Sequence, residues 1–384
     1  MQQSPPLHPS APPAPSGTSE TSRPPVSSSV ATLNAVIVQE MAARRTEVLA
    51  VDARLAGLLD RLVEFVLDGG KRLRPEFLFC GWRAAGGQDS PVPILQVGAA
   101  LELLQACALL HDDIMDRSDT RRGRPTIQRA VAKEHADTGL AGESEHFGLS
   151  AALLLGDMAL AWSDDLYLEG AVGLDRVGQT ATVWRAMRTE VLAGQMLDLR
   201  VTADPTVDPV AQADDAMAVN RWKTAAYTVE RPLHLGAALA GGSEACVQAL
   251  RAYGADIGVA FQLRDDLLGV FGDPAVTGKP AGDDLTEGKR TLLVAAARAA
   301  LSPTPDLLAE LDAGLGSPTA DVARLAGIIA ETGAPAHLEE QISALVASGV
   351  AALDATEPDG SPAVSPAARQ RLTELAVAAT ARVR

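Results

Sequence analysis

The sequence predicts an all-α fold, a large helical bundle, from three features of its composition and periodicity. Of its 384 residues 47% are hydrophobic, which is enough for a sizeable core, but only 3% are aromatic. Alanine and leucine are abundant, and this composition favours helix over sheet. Apolar residues recur at spacings of three and four along most of the chain, and no alternation with a period of two extends over a useful length.

The helical pattern begins near Thr32 and runs nearly to the C-terminus. The first clear amphipathic stripe consists of Leu55, Leu58, Leu59, Leu62, Val63 and Val66. Residues 97–115 are apolar on almost every face, as expected of a central buried helix. Further predicted helices span residues 151–168, 185–199, 213–239, 244–270 and 292–301. The helix breakers expected between them are Gly86-Gly87, Gly170, Pro205, Pro209, Gly241-Gly242 and the loop of residues 272–282.

Residues 1–29 are rich in proline and serine and contain no apolar run, so we expect a disordered tail followed by one all-α domain over residues 30–384. The tail lacks the basic start and apolar core of a secretory signal. The chain also lacks an uncharged apolar stretch of about 20 residues, so we expect no transmembrane segment. Three cysteines in apolar surroundings, without metal-ligand spacing, suit a reducing compartment and predict a cytoplasmic protein.

The net charge of −16 argues against nucleic acid as a partner, because the phosphate backbone would be repelled. Local cations or metal ions would therefore have to hold any anionic substrate.

Two aspartate-rich segments lie within apolar helical stretches, where carboxylates are costly unless they are paired or bind metal. They occupy residues 111–116 and 262–269. Asp112 and Asp116 are four residues apart, so a helix places both on one face. Two such clusters suggest facing walls of one cavity. Hard oxygen ligands suit Mg²⁺, which takes further ligands from water and substrate phosphates.

Sequence context separates these clusters from the other Asp-Asp pairs of this acidic chain. The pairs are Asp112-Asp113 and Asp265-Asp266 in the clusters, and Asp164-Asp165, Asp214-Asp215 and Asp283-Asp284 elsewhere. We expect the last three at the surface or in loops, where most carboxylates lie.

A compact basic segment accompanies each acidic cluster. Residues 69–75 place three cations within four positions, and residues 121–124 begin five positions after the first acidic cluster. Lys279, Lys289 and Arg290 follow the second cluster. Arginine presents a planar fork suited to phosphate, and lysine presents a mobile charge. Acidic groups for metal and basic groups for phosphate, present twice, describe a site for two diphosphates.

Together these segments resemble the isoprenyl diphosphate synthases, the trans-prenyltransferase or polyprenyl synthetase family, and most of all the geranylgeranyl diphosphate synthases of the actinobacterial type. The resemblance covers residues 35–370. The matching segments, in the family's order, are residues 70–75, residues 112–116 with 121–123, Gly156-Asp157, residues 192–195, Lys223-Thr224 and residues 261–273.

The resemblance implies an isoprenoid synthase bundle around a central substrate cavity, a homodimer, and a Mg²⁺-dependent head-to-tail condensation of isopentenyl diphosphate with an allylic diphosphate. It implies three Mg²⁺ ions, for which Mn²⁺ could substitute. Asp112, Asp116 and Asp265 would bind these ions, with Asp113 and Asp266 in support. Arg121, Lys223 and Lys279 would surround the allylic diphosphate, and Lys289 would also bind substrate. Thr224 and Gln262 would line the reaction centre. Lys71, Arg74, Gln105 and Arg122 would hold isopentenyl diphosphate without metal.

In this family the length of the product depends on how far the growing chain extends beneath the first cluster. The fourth and fifth residues before Asp112 are Ala108 and Cys107, so the aromatic plug of many farnesyl-producing relatives is missing. The candidates for a deeper floor are Leu104, Leu101, Phe79 and Trp82. We expect geranylgeranyl diphosphate, C20, as the product, with farnesyl or longer chains as alternatives.

One position departs from the family pattern, because Gly269 stands where the second cluster usually has a third aspartate. We expect activity to survive with weaker metal binding. A class I terpene cyclase is a second hypothesis, but its Asn/Asp-x-x-Ser/Thr-x-x-x-Glu motif is not found near Asp265, and it would not use Lys71 and Arg74. A non-catalytic regulatory subunit is a third, although such a subunit would typically lose the first cluster. His111 is expected to form structural hydrogen bonds only.

Overall fold

A computed structural model describes residues 30–68, 70–88, 91–204, 208–273 and 281–380 of the chain. The expected tail of residues 1–29 and the expected substrate residue Lys279 lie outside these ranges. The described residues are almost entirely helical, which confirms the predicted all-α fold.

The helices follow one another along the chain with short connections. In order they are α1 (Val30–Val51), α2 (Ala56–Leu67), α3 (Leu73–Ala84), α4 (Val92–Met115), α5 (Ile127–Asp137), α6 (Ser144–Gly173), α7 (Val177–Ala203), α8 (Pro209–Val219), α9 (Arg231–Ala240), α10 (Glu244–Phe271), α11 (Asp283–Glu287), α12 (Leu292–Ala300), α13 (Pro305–Gly314), α14 (Val322–Glu331), α15 (Ala334–Ala352) and α16 (Pro366–Thr380). A 3₁₀ turn at Ala53–Leu55 precedes α2, and a π-helical segment at Asn220–Glu230 joins α8 to α9. Two short strands, β1 (Thr120–Arg121) and β2 (Arg124–Pro125), pair antiparallel between α4 and α5.

Helix α4 is the central helix, as its apolar sequence predicts, and α6 packs along it. The two helices approach so closely that a Cβ atom on Gly170 would lie 2.5 Å from the carbonyl oxygen of Pro93. The prediction that Gly170 breaks a helix is therefore wrong, because this residue lies inside α6. Its missing side chain serves helix packing rather than a turn.

Among the described residues, α4 is the one helix long and apolar enough to cross a membrane by length and composition. Buried residues make up 67% of its most apolar window, and Glu102 within it forms a buried ion pair with Arg72. Burial of this kind is typical of a core helix in a soluble protein.

The predicted helix over residues 213–239 is present, but it is not α-helical throughout. The π-helical hydrogen bonding of Asn220–Glu230 widens the helix in its middle. Such segments are rare and often lie at functional sites. Here it faces α7 and α10 across the interior and presents Lys223, Thr224 and Tyr227 to a cavity.

The apolar core consists of three groups of buried residues. One surrounds α4 with α1, α2, α6 and part of α7. A second lies between α10, α12, α14 and α15, and a third between α3, α9, α10 and α16. The cavity lies where α4, α7, the π-helical segment and α10 face one another.

Candidate active site

The cavity measures about 700 Å³ and extends from a strongly charged end to an apolar end. Residues from both acidic clusters, from the basic segments at residues 69–75 and 289–290, and from the chain-length candidates line it. They are Lys71, Arg74, Leu104, Gln105, Cys107, Ala108, Asp112, Lys223, Thr224, Gln262, Asp265, Asp266 and Lys289. The fold thus brings the two acidic clusters and the basic segments to one space.

The last turns of α4 carry the first acidic cluster, and Lys223 contacts it from the π-helical segment. The Lys223 ammonium donates hydrogen bonds to Asp112 Oδ1 at 3.0 Å and to Asp198 Oδ2 at 2.6 Å. Burial disfavours the charge on Asp112, but Lys223, Lys289 and Arg121 together hold the pKa of this carboxyl below its usual value.

Asp116 differs from Asp112, although the two stand on the same face of α4. Burial and the nearby charge of Asp112 raise the pKa of Asp116 to about 6. Its nearest cation is Lys289, whose Nζ lies 3.7 Å from Asp116 Oδ2. Two carboxylates with opposed pKa shifts therefore share this wall, as expected of groups held close together for a cation to bridge.

Asp113 points away from the cavity and holds Arg121 in place. Its side chain is fully buried, and Arg121 donates to Asp113 Oδ1 from Nε at 2.9 Å and from Nη2 at 2.5 Å. The same Nη2 lies 3.6 Å from Asp112 Oδ2. Arg121 thus lies behind Asp112, where its charge favours the ionised carboxylate, and it is not among the described residues that line the cavity.

The turn between β1 and β2 sets the positions of the two arginines. Arg122 and Gly123 both have positive φ angles, 54° and 73°, as a two-residue type I′ turn requires. Arg122 Nη1 donates to the carbonyl oxygen of Asp68 at 3.0 Å, and a Cβ atom on Gly70 would lie 3.6 Å from its Nη2. Arg122 therefore lies next to the basic segment that begins at Gly70, outside the residues that line the described cavity.

The second acidic cluster lies on α10, facing the first. Asp265 lines the cavity, while Asp266 is buried and accepts a hydrogen bond from Gln262 Nε2 at 2.8 Å. Burial raises the pKa of Asp266 to about 7, although the bond from Gln262 opposes this. Asp266 therefore lies beside Asp265 at the cavity, with its side chain almost completely buried and bonded to Gln262.

The space beside Gly269 is filled by a carboxylate from another element. A Cβ atom on Gly269 would overlap the side chain of Asp284, which comes from the first turn of α11 and lines the cavity. The prediction that the Asp283-Asp284 pair lies at the surface is therefore wrong for Asp284. An acidic group is present where the family pattern has a third aspartate, but it comes from a different helix.

Lys289 joins the two acidic walls. Its Nζ lies 3.7 Å from Asp116 Oδ2, 3.8 Å from Asp284 Oδ1 and 2.5 Å from Glu287 Oε2. Burial disfavours its charge, but these carboxylates raise the pKa of Lys289 above its usual value. The Lys289 ammonium thus lies between Asp116 of the first acidic cluster and the carboxylates of α11, where it compensates their negative charge.

A second polar region lies beside the first, at the start of α3. Lys71, Arg74 and Gln105 line the cavity there. The Arg74 guanidinium lies over the ring of Tyr227, 3.9 Å from its centroid, and donates to Thr228 Oγ1 at 2.8 Å. Arg72, between the two, is instead buried against Glu102 and has the structural role of joining α3 to α4. Arg74 is thus held by two uncharged side chains, Tyr227 and Thr228, as suits a metal-free anion site.

The apolar end lies beneath Asp112, along the face of α4 that carries Ala108, Cys107 and Leu104. Of the other floor candidates, Leu101, Phe79 and Trp82 are buried in the core and do not line the described cavity. His111 also lines the cavity, and its Nε2 lies 3.3 Å from the carbonyl oxygen of Leu153. That contact agrees with the structural role expected for it.

The donor chemistry of the charged end fits divalent metal ions. Its ligand candidates are carboxylate oxygens from α4, α10 and α11, and two lysine ammoniums lie between them. No group of three or more acidic, histidine or cysteine side chains converges on one point within the described ranges. Mg²⁺ does not need three protein ligands at one point, because it keeps several waters and takes its other ligands from one or two carboxylates and substrate phosphates.

Sequence reasoning missed two residues of this site and misplaced one. Asp198 follows the Leu-Ala-Gly-Gln segment of residues 192–195 by one helical turn, and this spacing could have identified it. Asp284 was predicted to lie at the surface or in a loop, because the sequence does not show that its side chain contacts α10 at Gly269. Asp164, expected on an exposed helix face, instead accepts a hydrogen bond from Trp184 Nε1 at 2.7 Å and pairs with Arg188.

Comparison with known proteins gives consistent matches. The sequence model of the polyprenyl synthetase family matches residues 56–331. The geranylgeranyl diphosphate synthase of Mycobacterium tuberculosis is 33% identical over 292 residues, 73% of this chain and 75% of that protein. The geranylfarnesyl diphosphate synthase of Aeropyrum pernix is 32% identical over 290 residues, 75% of this chain and 83% of that protein.

The fold is similar to that of a solved synthase with bound ligands. The geranylgeranyl pyrophosphate synthase of Corynebacterium glutamicum, complexed with isoprenyl diphosphate and magnesium, is 43% identical to this chain. The two superpose with a TM-score of 0.85 over 92% of this chain and 98% of the other.

Proposed function

We propose that this chain, which belongs to the polyprenyl synthetase family, condenses isopentenyl diphosphate head-to-tail with an allylic diphosphate. The products would be geranylgeranyl diphosphate (C20) and pyrophosphate. The chain is a trans-prenyltransferase. The observation that carries the proposal is the arrangement of one cavity. At one end acidic residues from facing elements lie on either side of Lys289, and at the other end the lining is apolar and Cys107 and Ala108 form no aromatic plug.

We assign the charged end to the allylic diphosphate. Mg²⁺ ions bound there would neutralise the departing diphosphate and so favour ionisation of the allylic C–O bond. Asp112, Asp116 and Asp265 would hold the ions, with Asp113 and Asp266 in support. We propose three ions, with Mn²⁺ as a substitute, because the family depends on divalent metals and a similar structure contains magnesium.

The lysines would stabilise the same leaving group directly. Lys223 is held between Asp112 and Asp198, and Lys289 is held between the two acidic walls. Each ammonium could move from a carboxylate to a phosphate oxygen with little loss of charge pairing. Arg121 would act through Asp113 and Asp112, while Lys279 remains a proposal outside the described residues.

Isopentenyl diphosphate would occupy the second polar region, held by Lys71, Arg74, Gln105 and Arg122. Its double bond would attack the allylic cation near Thr224 and Gln262, and the pyrophosphate formed in the first step would accept the proton. This sequence balances without a side-chain base. The apolar wall beyond would exclude the water that could otherwise capture the cation.

Other parts of the proposal rest on the family relationship. We propose a homodimer in the cytoplasm, formed from one all-α domain over residues 30–384. The C20 product is supported by Cys107 and Ala108, which leave the space beneath Asp112 open, and by relatives named as geranylgeranyl diphosphate synthases.

One assay tests the function. Purified protein with Mg²⁺, labelled isopentenyl diphosphate and primers of C5, C10 or C15 should give a diphosphate that elutes as C20 after chromatography. An absence of any elongated product would contradict the proposal. Cyclised hydrocarbon formed without isopentenyl diphosphate would indicate a terpene cyclase instead, and stimulation of another synthase by an inactive chain would indicate a regulatory subunit.

A further inference from the structure

Arg188 is a charged residue that lines the cavity and has no part in the proposed reaction. Helix α7 presents a continuous stripe to the cavity: Arg188, Val191, Leu192, Gln195, Asp198 and Val201. Asp198 marks the charged end, because it accepts a hydrogen bond from Lys223. Arg188 lies ten residues earlier, so it is about 15 Å further along the cavity at the α-helical rise.

The other walls end at a similar depth. On α4 the apolar lining ends at Leu104, eight residues before Asp112 and so about 12 Å from it at the helical rise. Leu160 contributes from α6. Arg188 therefore lies among apolar residues at the end of the path that a growing prenyl chain would take from the acidic clusters.

Several contacts fix the position of Arg188. It forms an ion pair with Asp164, and Asp164 also accepts a hydrogen bond from Trp184 Nε1 at 2.7 Å. Trp184 is 2% exposed and stacks on Tyr167 with ring centroids 4.6 Å apart and an interplanar angle of 3°. Tyr167 is in turn bonded to Thr180 through a 2.9 Å contact between hydroxyl oxygens. Asp164, whose own side chain is 40% exposed, is thus held between α6 and α7 by the buried Trp184.

The charge of Arg188 makes it a barrier to hydrocarbon. The side chain retains 30% of its exposed area, so water reaches the guanidinium. A prenyl chain that extended this far would replace that water with methyl and methylene groups, and an arginine cannot lose its proton to avoid the cost. We propose that the Arg188–Asp164 ion pair closes the apolar end of the cavity and limits the length of the product. This inference rests on the proposed function and adds to it the residue that stops elongation.

The experiment is a comparison of product lengths. The assay contains Mg²⁺, a C15 primer and excess labelled isopentenyl diphosphate. In Arg188→Leu, the ratio of products of C25 and longer to C20 should rise at least about tenfold. Tenfold is the smallest discrimination usual for one methylene in an apolar pocket. Arg188→Lys keeps the charge and should keep the wild-type product. Arg185→Leu is the matched control, because Arg185 is exposed on the same helix and does not line the cavity; its product should not change.

Two outcomes separate this inference from the proposed function. If the wild type elongates its primer and folded Arg188→Leu gives the same product lengths, the inference is wrong and the proposed function stands. If the wild type elongates nothing, the proposed function itself fails. Should Arg188→Leu not fold, Arg188→Gln decides, since it removes the charge but can still donate to Asp164; longer products would support the barrier, and unchanged products would overturn it.

Discussion

Lys223 and Lys289 already neutralise the carboxylates that would bind metal. Lys223 is shared by Asp112 and Asp198, and Lys289 by Asp116 and Asp284. The site therefore has internal counter-ions that can turn to a diphosphate when metal ions take over the carboxylates. The pKa of Asp112 is lowered despite burial, so this carboxylate is ionised and ready to bind metal at neutral pH.

Asp112→Asn should abolish most of the activity. The amide keeps the shape of the side chain but removes the negative charge, so we expect the activation barrier to rise by at least ~3 kcal/mol, as when a key electrostatic contact is lost. This corresponds to a fall in kcat of more than about 100-fold. Asp165→Asn, on the exposed face of α6, is the control and should have normal turnover. Normal kcat in Asp112→Asn would refute the metal assignment.

Gly269→Asp should not improve the enzyme, although it restores the family's third aspartate. The added side chain would overlap the carboxylate of Asp284, and we expect the free energy of unfolding to fall by roughly 1–3 kcal/mol, as in other overpacked sites. The double variant Gly269→Asp, Asp284→Gly exchanges the two positions and should recover part of this loss. Chemical denaturation measures the stability, and calorimetric titration with Mg²⁺ and a substrate analogue measures metal affinity. A Gly269→Asp variant that is as stable as wild type and binds Mg²⁺ more tightly would contradict this interpretation.

At the scale of elements, the π-helical segment determines where Lys223 and Thr224 lie. The segment can approach α7 closely because Gly194 has no side chain, and a Cβ atom there would lie 2.7 Å from the Cα atom of Lys223. The position of Lys223 thus depends on a backbone contact between two helices.

Gly194→Ala should move Lys223 and destabilise the fold by roughly 1–3 kcal/mol, because the added methyl meets backbone that cannot rotate away. We expect a lower kcat together with a lower denaturation midpoint. Gly178→Ala on the same helix is a matched control, since nothing lies within 4 Å of the Cβ atom that it adds. It should leave activity unchanged, with equal or slightly higher stability. Equal effects of the two substitutions would show that the close contact is unimportant.

Helix α4 carries both the first acidic cluster and the upper part of the apolar end of the cavity. Ala108 lies one turn before Asp112, and both line the cavity. Ala108→Phe, or Cys107→Phe, should therefore shorten the product to C15 or C10 by filling the space beneath the diphosphate. Product chromatography checks this, and Ala136→Phe on the exposed face of α5 should leave the product at C20. An unchanged product in both cavity variants would place the limit elsewhere.

Periodicity predicted the elements well because the buried faces of these helices are long and strongly apolar. It failed for residues whose role depends on contact with a helix distant in the sequence. Gly170 resembles a helix breaker in sequence, but its role is to let α4 approach α6. Asp164 and Asp284 resemble surface acids, and only the packing of α7 against α6 and of α11 against α10 reveals their partners. The π-helical turn leaves no signal in a pattern of apolar spacing.

At the scale of the whole molecule, the charged cavity opposes the stability of the surrounding core. Three apolar groups enclose carboxylates whose charge burial disfavours, in a chain with a net charge of −16. Burial raises the pKa of Asp266 to about 7 and that of Asp116 to about 6. The metal-free protein therefore bears a cost that ligand binding would offset.

The stability of the metal-free protein should fall as the pH rises from about 4 to 7. Asp266 has a raised pKa in the folded state, so between about pH 4 and 7 the folded protein binds more protons than the unfolded chain, and each rise in pH favours unfolding. The whole shift is worth on the order of 4 kcal/mol.

Urea denaturation in the presence of a chelator should show a shallower decline for Asp266→Asn, which cannot ionise. Asp116→Asn should remove a smaller part of the decline, ending near pH 6. Parallel curves for the wild type and Asp266→Asn would contradict the raised pKa.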